Sequence, residues 1–367
     1  MKEGQITGLE LDPSRVGVLL FSRGRGSGHA IPDMAIVKEL RKLHDDLDLR
    51  FVSYATGAAT LREHGYDVID LDLPERNPVL ETMVRAARII EQLRPQLVVS
   101  HEEFGALPAA KIFDLPTVMI TDWFVEPEKF SMQTLQYADE VIFIDDPGVF
   151  VEPPFIEGKV HYVGPVLRPL EYSRADRARA RRELDLPANA AVISVLPGGW
   201  ATETKEPIYD LLMPAFQQLQ GIDKHLVWIA GEDQPMLAEK TRGIPGVIIR
   251  EKDWQMDRLM VASDLAITKT NRKTSMELAT LGIPSISLSD GSNRVNVQRL
   301  ANITSNVTLA TGEIDSEQLR QAIEGILDAG VDAPPPSGDE SHLEDGRVAA
   351  AERLAFHVER VKRNSSE

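Results

Sequence analysis

A histidine directly behind a glycine-rich turn is the first position in this sequence that could carry acid–base chemistry. The apolar run 16–21 is followed by Ser-Arg-Gly-Arg-Gly-Ser-Gly and then by His29. Glycines allow a tight turn and a close approach of substrate to the backbone, and a helix predicted over 31–43 points its free N–H groups at that turn. Histidine titrates near neutral pH. We predict that His29 acts on a ligand held there; the alternative is a histidine that only caps the helix.

The glycine spacing argues against a dinucleotide site. A Rossmann fingerprint reads G-x-G-x-x-G and needs an acidic residue about 20 positions later, after the second strand, to hold a ribose. This turn places Gly24, Gly26 and Gly28 at alternate positions, and the predicted second strand, 49–54, is followed by Ala-Thr without an acid. NAD binding is therefore disfavoured on both counts.

A polar segment in the second half of the chain could hold a diphosphate. It follows the predicted strand 265–268 and reads Lys269-Thr270-Asn271-Arg272-Lys273-Thr274. A helix beginning near Lys273 would add free N–H groups to these hydroxyls and cations, which suits a diphosphate. The carboxylate of Glu277, one turn deeper, could accept both hydroxyls of a ribose. The alternative is an ordinary capping box with solvated cations.

A second glycine turn occupies the same place in the second half of the chain as the first turn does in the first half. Pro197-Gly198-Gly199-Trp200 directly follows the apolar run 191–196. Taken alone, Pro-Gly-Gly is often only a turn. Two strand–glycine turns facing each other across a cleft would, however, clamp one ligand between them.

Carboxylates follow two predicted strands of the first half. His101, Glu102 and Glu103 come after the strand 96–100, and Asp122 comes after the strand 117–120. Ligands of α/β proteins bind at the carboxyl ends of parallel strands. We therefore predict that Asp122 or Glu102 assists His29 in catalysis; a helix N-cap is the alternative for each.

Short apolar runs alternate with amphipathic stretches along almost the whole chain, which predicts α/β architecture with parallel sheets covered on both faces. The rhythm restarts after the stiff connector 164–169. We predict two Rossmann-like, doubly wound domains facing each other across a cleft. The predicted parts are an acceptor domain over 1–165, a donor domain over 166–332, a Pro- and acid-rich linker over 333–346, and a C-terminal helix over 347–367. The sequence leaves open whether that helix packs on the first domain or the second.

Composition narrows the class of protein. The chain has 367 residues, a formal net charge of −17 and no cysteine. The negative charge argues against nucleic acid as a partner, and the absence of cysteine excludes thiolate nucleophiles and cysteine-ligated zinc. No signal peptide and no run of about 20 apolar residues is recognised. We therefore expect a cytoplasmic protein; a local peripheral contact with a membrane, and a monomeric or homodimeric state, stay open.

These turns, in this order, resemble the GT-B glycosyltransferases, in particular the branch holding the bacterial N-acetylglucosaminyltransferase of peptidoglycan synthesis, the plant galactolipid synthase and the macrolide-type sugar transferases. The family's Gly-His-x-x-Pro motif is similar to residues 28–32, and its Val-Gly-x-Pro-Val-Arg connector is similar to 163–169. The segment 257–284 resembles its donor-binding segment, and Gln298 fits the glutamine that follows. The likeness covers about 16–327.

The resemblance implies an inverting, metal-independent transfer of a sugar from a nucleotide-diphosphate donor to an acceptor hydroxyl, with UDP the expected nucleotide and no cofactor. The acceptor would be a small molecule or a lipid. His29 would be the base, helped by Asp122 or Glu102. The donor would be held by the two glycine turns, the polar segment, and the ribose- and sugar-binding side chains, namely Gly26, Gly28, Gly198, Gly199, Asn271, Arg272, Lys273, Thr274, Glu277 and Gln298.

Two alternatives to a transferase stay open, and three departures from the family pattern motivate the second of them, the silent binding protein. Asn271-Arg272 stand where the family has glycines, Val297 replaces a histidine or aspartate, and Trp200 is bulky for its turn. The alternatives are a UDP-sugar hydrolase or 2-epimerase of the same fold, and a catalytically silent nucleotide-sugar-binding protein.

Overall fold

The computed structural model describes residues 10–124, 128–148, 150–198, 208–253, 255–291, 294–301, 303, 305–329 and 346–366. These residues divide between two compact units, one within 1–168 and 344–367 and the other within 169–343. The predicted linker 333–346 lies, apart from Gly346, outside the described residues.

Strands and helices alternate in both units. The strands are β1 (Val16–Ser22), β2 (Leu47–Ser53), β3 (Val68–Asp70), β4 (Leu97–His101), β5 (Thr117–Thr121), β6 (Glu140–Phe143), β7 (Val160–Tyr162), β8 (Ala191–Leu196), β9 (Lys224–Ile229), β10 (Val247–Arg250), β11 (Leu265–Lys269), β12 (Ser285–Ser289) and β13 (Asn306–Ala310). The helices are α1 (Ala30–Leu43), α2 (Ala55–Glu63), α3 (Val79–Leu93), α4 (Ala106–Lys111), α5 (Phe130–Gln133), α6 (Arg177–Glu183), α7 (Tyr209–Gln218), α8 (Gln234–Lys240), α9 (Met256–Ala262), α10 (Arg272–Thr280), α11 (Arg294–Leu300), α12 (Ser316–Ala329) and α13 (Arg347–Ser366).

Each unit is built on one parallel sheet. The first sheet has the order β3-β2-β1-β4-β5-β6-β7, and the second has the order β10-β9-β8-β11-β12-β13. In both sheets the chain reverses its direction of winding at the central pair, β1–β4 and β8–β11, and this is where α/β folds bind ligands. The predicted class, two Rossmann-like parallel-sheet domains, is confirmed.

Helices cover both faces of the first sheet. Val18 and Leu20 of β1 belong to a core shared with α1 and α13, whereas Leu19 and Phe21 belong to a core shared with α3 and α4. Successive side chains of a strand point to opposite faces. A strand buried on both faces must therefore be apolar throughout, which is why β1 reads as a continuous apolar run.

The C-terminal helix α13 packs against α1, on the first sheet. Glu140, at the start of β6, holds it through two hydrogen bonds from Arg353, at 2.7 and 2.6 Å, and one from His357 Nε2, at 2.9 Å. Because Glu140 and His357 are both buried, this charged cluster fixes the position of α13 along the sheet.

The basic run 174–186 of the sequence predicts one helix. In the structure this run begins with a 3₁₀ turn, Arg174–Asp176, and continues as α6 only to Glu183. Asp185 adopts a left-handed φ of 56°, while Leu186 N–H donates to Arg181 O. This geometry is a Schellman-type end, which stops the helix before the end of the predicted run.

Candidate active site

His29 lies at the N-terminus of α1, directly after the first glycine turn, and its side chain is 17% exposed. Its Nε2 atom lies 3.1 Å from Oε2 of Glu102. The two residues are 73 positions apart in sequence. They meet because β1 and β4 are neighbours in the sheet, so the chain segments that follow them share one edge.

Glu102 is held by more than His29. Thr121 Oγ1, at the end of β5, donates to Glu102 Oε1 at 2.8 Å, and Arg23 Nη1 lies 3.4 Å from Oε2. Glu102 has a left-handed φ of 51°, a conformation that costs a non-glycine residue on the order of 1 kcal/mol. The strained backbone directs the carboxylate at the histidine.

The surroundings keep Glu102 ionised. Burial by itself raises the pKa of this carboxyl, but the hydrogen bond with His29 and the electrostatic interactions with His29, Arg23 and His101 outweigh burial and hold the pKa well below its usual range. An ionised carboxylate only accepts hydrogen bonds. It therefore fixes the orientation of the His29 ring and can stabilise the imidazolium that forms when this ring takes a proton.

The glycine turn packs tightly on one side and is open on the other. A Cβ at Gly24 would lie 2.3 Å from the carbonyl oxygen of Tyr54, and Gly57 N–H donates to Gly24 O at 3.1 Å. Gly26 has a φ of 65°, and a Cβ at Gly26 or Gly28 would meet no atom within 4 Å. Gly24 thus seats the turn against the start of α2, while the turn is open around Gly26 and Gly28.

Two more carboxylates lie at this edge of the sheet. Asp122 follows β5 and is half-buried. Glu103 is 5% exposed and hydrogen-bonds with Tyr54 and Thr82. Burial raises the pKa of Glu103 to about 7, against the lowering effects of these hydrogen bonds and of the Arg23 charge.

Glu103→Gln is expected to raise the unfolding midpoint by about 2–6 °C at pH 8.5 and by less at pH 5.5. The folded state binds the Glu103 proton more tightly than the unfolded state does. This tighter proton binding stabilises the folded state. The stabilisation is complete below about pH 4.5 and is lost as the pH rises through about 7. Glutamine removes the buried charge and keeps an oxygen for the hydrogen bonds.

Glu140→Gln is the control of opposite sign for this thermal-unfolding measurement. Burial raises the pKa of Glu140, but hydrogen bonds from His357 and Arg353 lower it to about 2. Its contribution is therefore present above about pH 4.5 and is lost as the pH falls toward 2, so the variant is expected to be less stable at both pH 5.5 and pH 8.5. A Glu103→Gln midpoint equal to or below that of the parent at pH 8.5 would contradict the charge assignment.

The second unit brings two of the predicted donor turns together. Gly198, after β8, has a φ of 72°, and a Cβ there would lie 3.3 Å from Nδ2 of Asn271, after β11. Asn271 is the N-cap of α10, and its side chain accepts from Thr274 N–H at 3.4 Å. Lys273 and Thr274 are half-buried at this helix N-terminus. Gly199 and Trp200 lie outside the described residues.

Arg272 points toward α11. It is 6% exposed, and its Nη1 atom donates to the carbonyl oxygen of Arg299 at 3.1 Å. Asn296 Nδ2 donates to Thr270 O at 3.0 Å, and Asn296 Oδ1 accepts from Arg299 Nη1 at 3.1 Å. These bonds join the segment that precedes α10 to α11, which presents Gln298 on its exposed side.

Glu277, on α10, is 3% exposed. Side chains missed by the sequence reasoning include Thr121 and Asn296. Thr121 is the last residue of β5, so its position at a strand end was the signal that could have found it. Asn296 carried no such signal, because its partner is a backbone oxygen that only the packing of α11 brings near.

Within the described ranges, no group of three or more His, Asp or Glu side chains is arranged to hold a metal ion. In that same part of the chain, none of the helices has the length and apolarity needed to cross a membrane.

No family model matches this chain. It is 26% identical over 293 residues to the UDP-N-acetylglucosamine--N-acetylmuramyl-(pentapeptide) pyrophosphoryl-undecaprenol N-acetylglucosamine transferase of Desulforudis audaxviator, covering 73% of this chain and 77% of that protein. Its fold is similar to that of Acinetobacter baumannii MurG (TM-score 0.58, 16% identity, 95% and 99% of the two chains). It is also similar to that of the UDP-GlcNAc 2-epimerase of Methanocaldococcus jannaschii (TM-score 0.64, 14% identity, 95% and 100%).

Proposed function

We propose that this chain, a glycosyltransferase of the GT-B fold, transfers a sugar from a UDP-sugar to an acceptor hydroxyl with His29 as the general base. The contact between His29 and an ionised Glu102 at the ligand-binding edge of the first sheet is the observation that carries the proposal. The names of the relatives that match this chain support UDP as the nucleotide.

In the proposed reaction the acceptor oxygen attacks the anomeric carbon of the donor sugar. His29 Nε2 donates to Glu102, so Nδ1 carries the lone pair. This atom is buried in the structure, and in the proposal it takes the hydroxyl proton once the bound acceptor reaches it. The C–O bond to the diphosphate breaks on the opposite face of the sugar, and the anomeric configuration inverts. Glu102 offsets the positive charge that develops on the imidazole.

The second unit would hold the donor. The N-terminus of α10, with Lys273 and Thr274, offers N–H groups, a cation and a hydroxyl to the leaving diphosphate. Gly198 lies beside Asn271, the N-cap of this helix. Glu277 would accept the ribose hydroxyls, and Gln298 would contact the donor sugar. Because the charge of the diphosphate is met by these groups, the proposal includes no metal ion and no cofactor.

Arg272 has a supporting role in this proposal. Its guanidinium donates to the backbone of α11, so in this proposal Arg272 braces the start of α10 and does not itself bind the diphosphate. The bond instead keeps α11, and therefore Gln298, next to the start of α10. The acceptor is proposed to be a small molecule or a lipid met from the cytoplasmic side, since the names of the matching relatives include pyrophosphoryl-undecaprenol.

The test combines binding and turnover. Calorimetric titration with UDP, GDP and dTDP is expected to show preference for UDP, and UDP-sugars plus an acceptor panel are expected to release UDP in the presence of EDTA. Inversion is read from the anomeric coupling of the product by NMR. The proposal would be contradicted if none of the three nucleotides bound, or if the product retained the anomeric configuration of the donor sugar.

A UDP-sugar 2-epimerase is the second candidate, because the fold is also similar to that of such an enzyme. Incubation with UDP-sugar and no acceptor separates the two. An epimerised sugar would favour the second candidate, and free sugar would favour a hydrolase. UDP-sugar binding with no turnover of any kind would favour a silent binding protein.

A further inference from the structure

A second histidine–carboxylate pair lies beside His29. His101 is the last residue of β4, and the strand alternation that buries Val99 against α1 also turns His101 toward α1. Asp33 lies four residues after His29 on that helix, so the two share a helix face. His101 Nδ1 lies 2.7 Å from Asp33 Oδ1, and the two side chains are 1% and 0% exposed.

The imidazole of His101 stands edge-on to that of His29. The two ring centroids are 4.7 Å apart, and the ring planes are inclined at 74°. The His29 ring therefore has two neighbours: Glu102 at its Nε2 atom, and the ring of His101, which packs against the His29 ring in a T-shaped arrangement. The Asp33 bond prevents the His101 ring from turning, so the contact surface offered to His29 is fixed.

The His101–Asp33 pair contributes less to the stability of the folded state than apolar side chains of similar volume would. His101 Nε2 and Asp33 Oδ2 are buried and have no hydrogen-bond partner in the described part of the chain. Each such atom costs about 1–3 kcal/mol, and apolar residues of similar volume in place of a buried polar pair are often neutral or stabilising. A buried polar pair that carries this cost and contacts the base points to a role at the base.

We propose that His101, held by Asp33, is a positioning residue for His29: it fixes the plane of the imidazole so that the Glu102 contact and the proton-accepting nitrogen keep their directions. The proposal rests on the proposed role of His29 as the base. The expected consequence lies in the chemical step and not in donor binding, because the pair touches the base and its helix.

The test compares three variants of the full-length protein. Asp33→Ala removes the acceptor of the His101 bond and is expected to lower kcat about 10- to 50-fold with the donor KM unchanged. Asp33→Asn keeps an acceptor oxygen at the same place and is expected to recover most of that loss. Val37→Ala is the control. It creates a cavity at a buried apolar position of the same helix and is expected to lower stability without changing the His101–Asp33 pair.

The ¹⁵N signals of the His29 ring give a second readout, because they report which nitrogen carries the proton. One tautomer is expected to dominate in the parent and in Asp33→Asn, and a mixture is expected in Asp33→Ala. The proposal is overturned if kcat of Asp33→Ala equals that of the parent, if Asp33→Asn is equally impaired, or if Val37→Ala loses as much kcat at a matched loss of stability. Full activity of His29→Ala would instead defeat the proposed function, so the two failures are distinguishable.

Discussion

Replacing His29 with alanine is expected to lower kcat by about 10²- to 10⁴-fold, the usual contribution of a positioned general base. The acceptor hydroxyl would then lose the group that takes its proton, and Glu102 would lose the imidazolium that it stabilises. UDP affinity is expected to stay unchanged, since the proposed nucleotide contacts belong to α10 and not to α1. Steady-state turnover and calorimetric UDP titration of the same preparation measure both quantities.

Two companion variants sharpen this experiment. His64→Ala removes an exposed histidine whose Nδ1 bonds its own helix at Thr60 O, and it should leave kcat unchanged. Glu102→Gln keeps the shape of the partner without its charge, so its kcat should fall between those of the parent and His29→Ala. Turnover of His29→Ala within twofold of the parent would remove this histidine from the mechanism.

Replacing Glu277 with glutamine is expected to raise the donor KM about 10- to 100-fold, because hydrogen bonds to a charged group contribute about 1.5–3 kcal/mol. Its carboxylate would accept both ribose hydroxyls, whereas glutamine offers one oxygen and no charge. The change in kcat should be small compared with the change in KM. Donor-dependence kinetics with UDP-sugar, and with a 2′-deoxyribose analogue of the donor, provide the measurement.

The analogue makes the assignment specific to the ribose. The parent should discriminate against the 2′-deoxy donor, and Glu277→Gln should discriminate less, because the lost hydroxyl no longer had a carboxylate to meet. Glu239→Gln, an exposed surface position paired with Arg242, serves as the matched control and should behave as the parent. Equal discrimination by the parent and Glu277→Gln would place the ribose elsewhere.

Local patterns in the sequence were sufficient to predict the fold class. Each predicted strand overlaps a strand of the structure, and the range 191–196 coincides with β8. Apolar runs of this length separated by amphipathic stretches have few other folded solutions, because each buried strand must be covered on both faces. The helix ends were harder: α6 stops at Glu183 because a left-handed residue closes it, and no hydrophobic pattern reports that.

In the candidate site, too, some features follow from the local sequence and others from tertiary contacts. The sequence by itself determined that His29 follows a glycine turn at the start of a helix, since those features depend on neighbours within a few residues. The sequence did not decide whether Asp122 or Glu102 is the partner of His29. It also did not decide which domain the C-terminal helix packs against. Only the tertiary structure brought Glu102 to His29, turned Arg272 to α11 and packed α13 on α1. These contacts join residues far apart in sequence, and strand order, one strained φ and the approach of separate helices decide them.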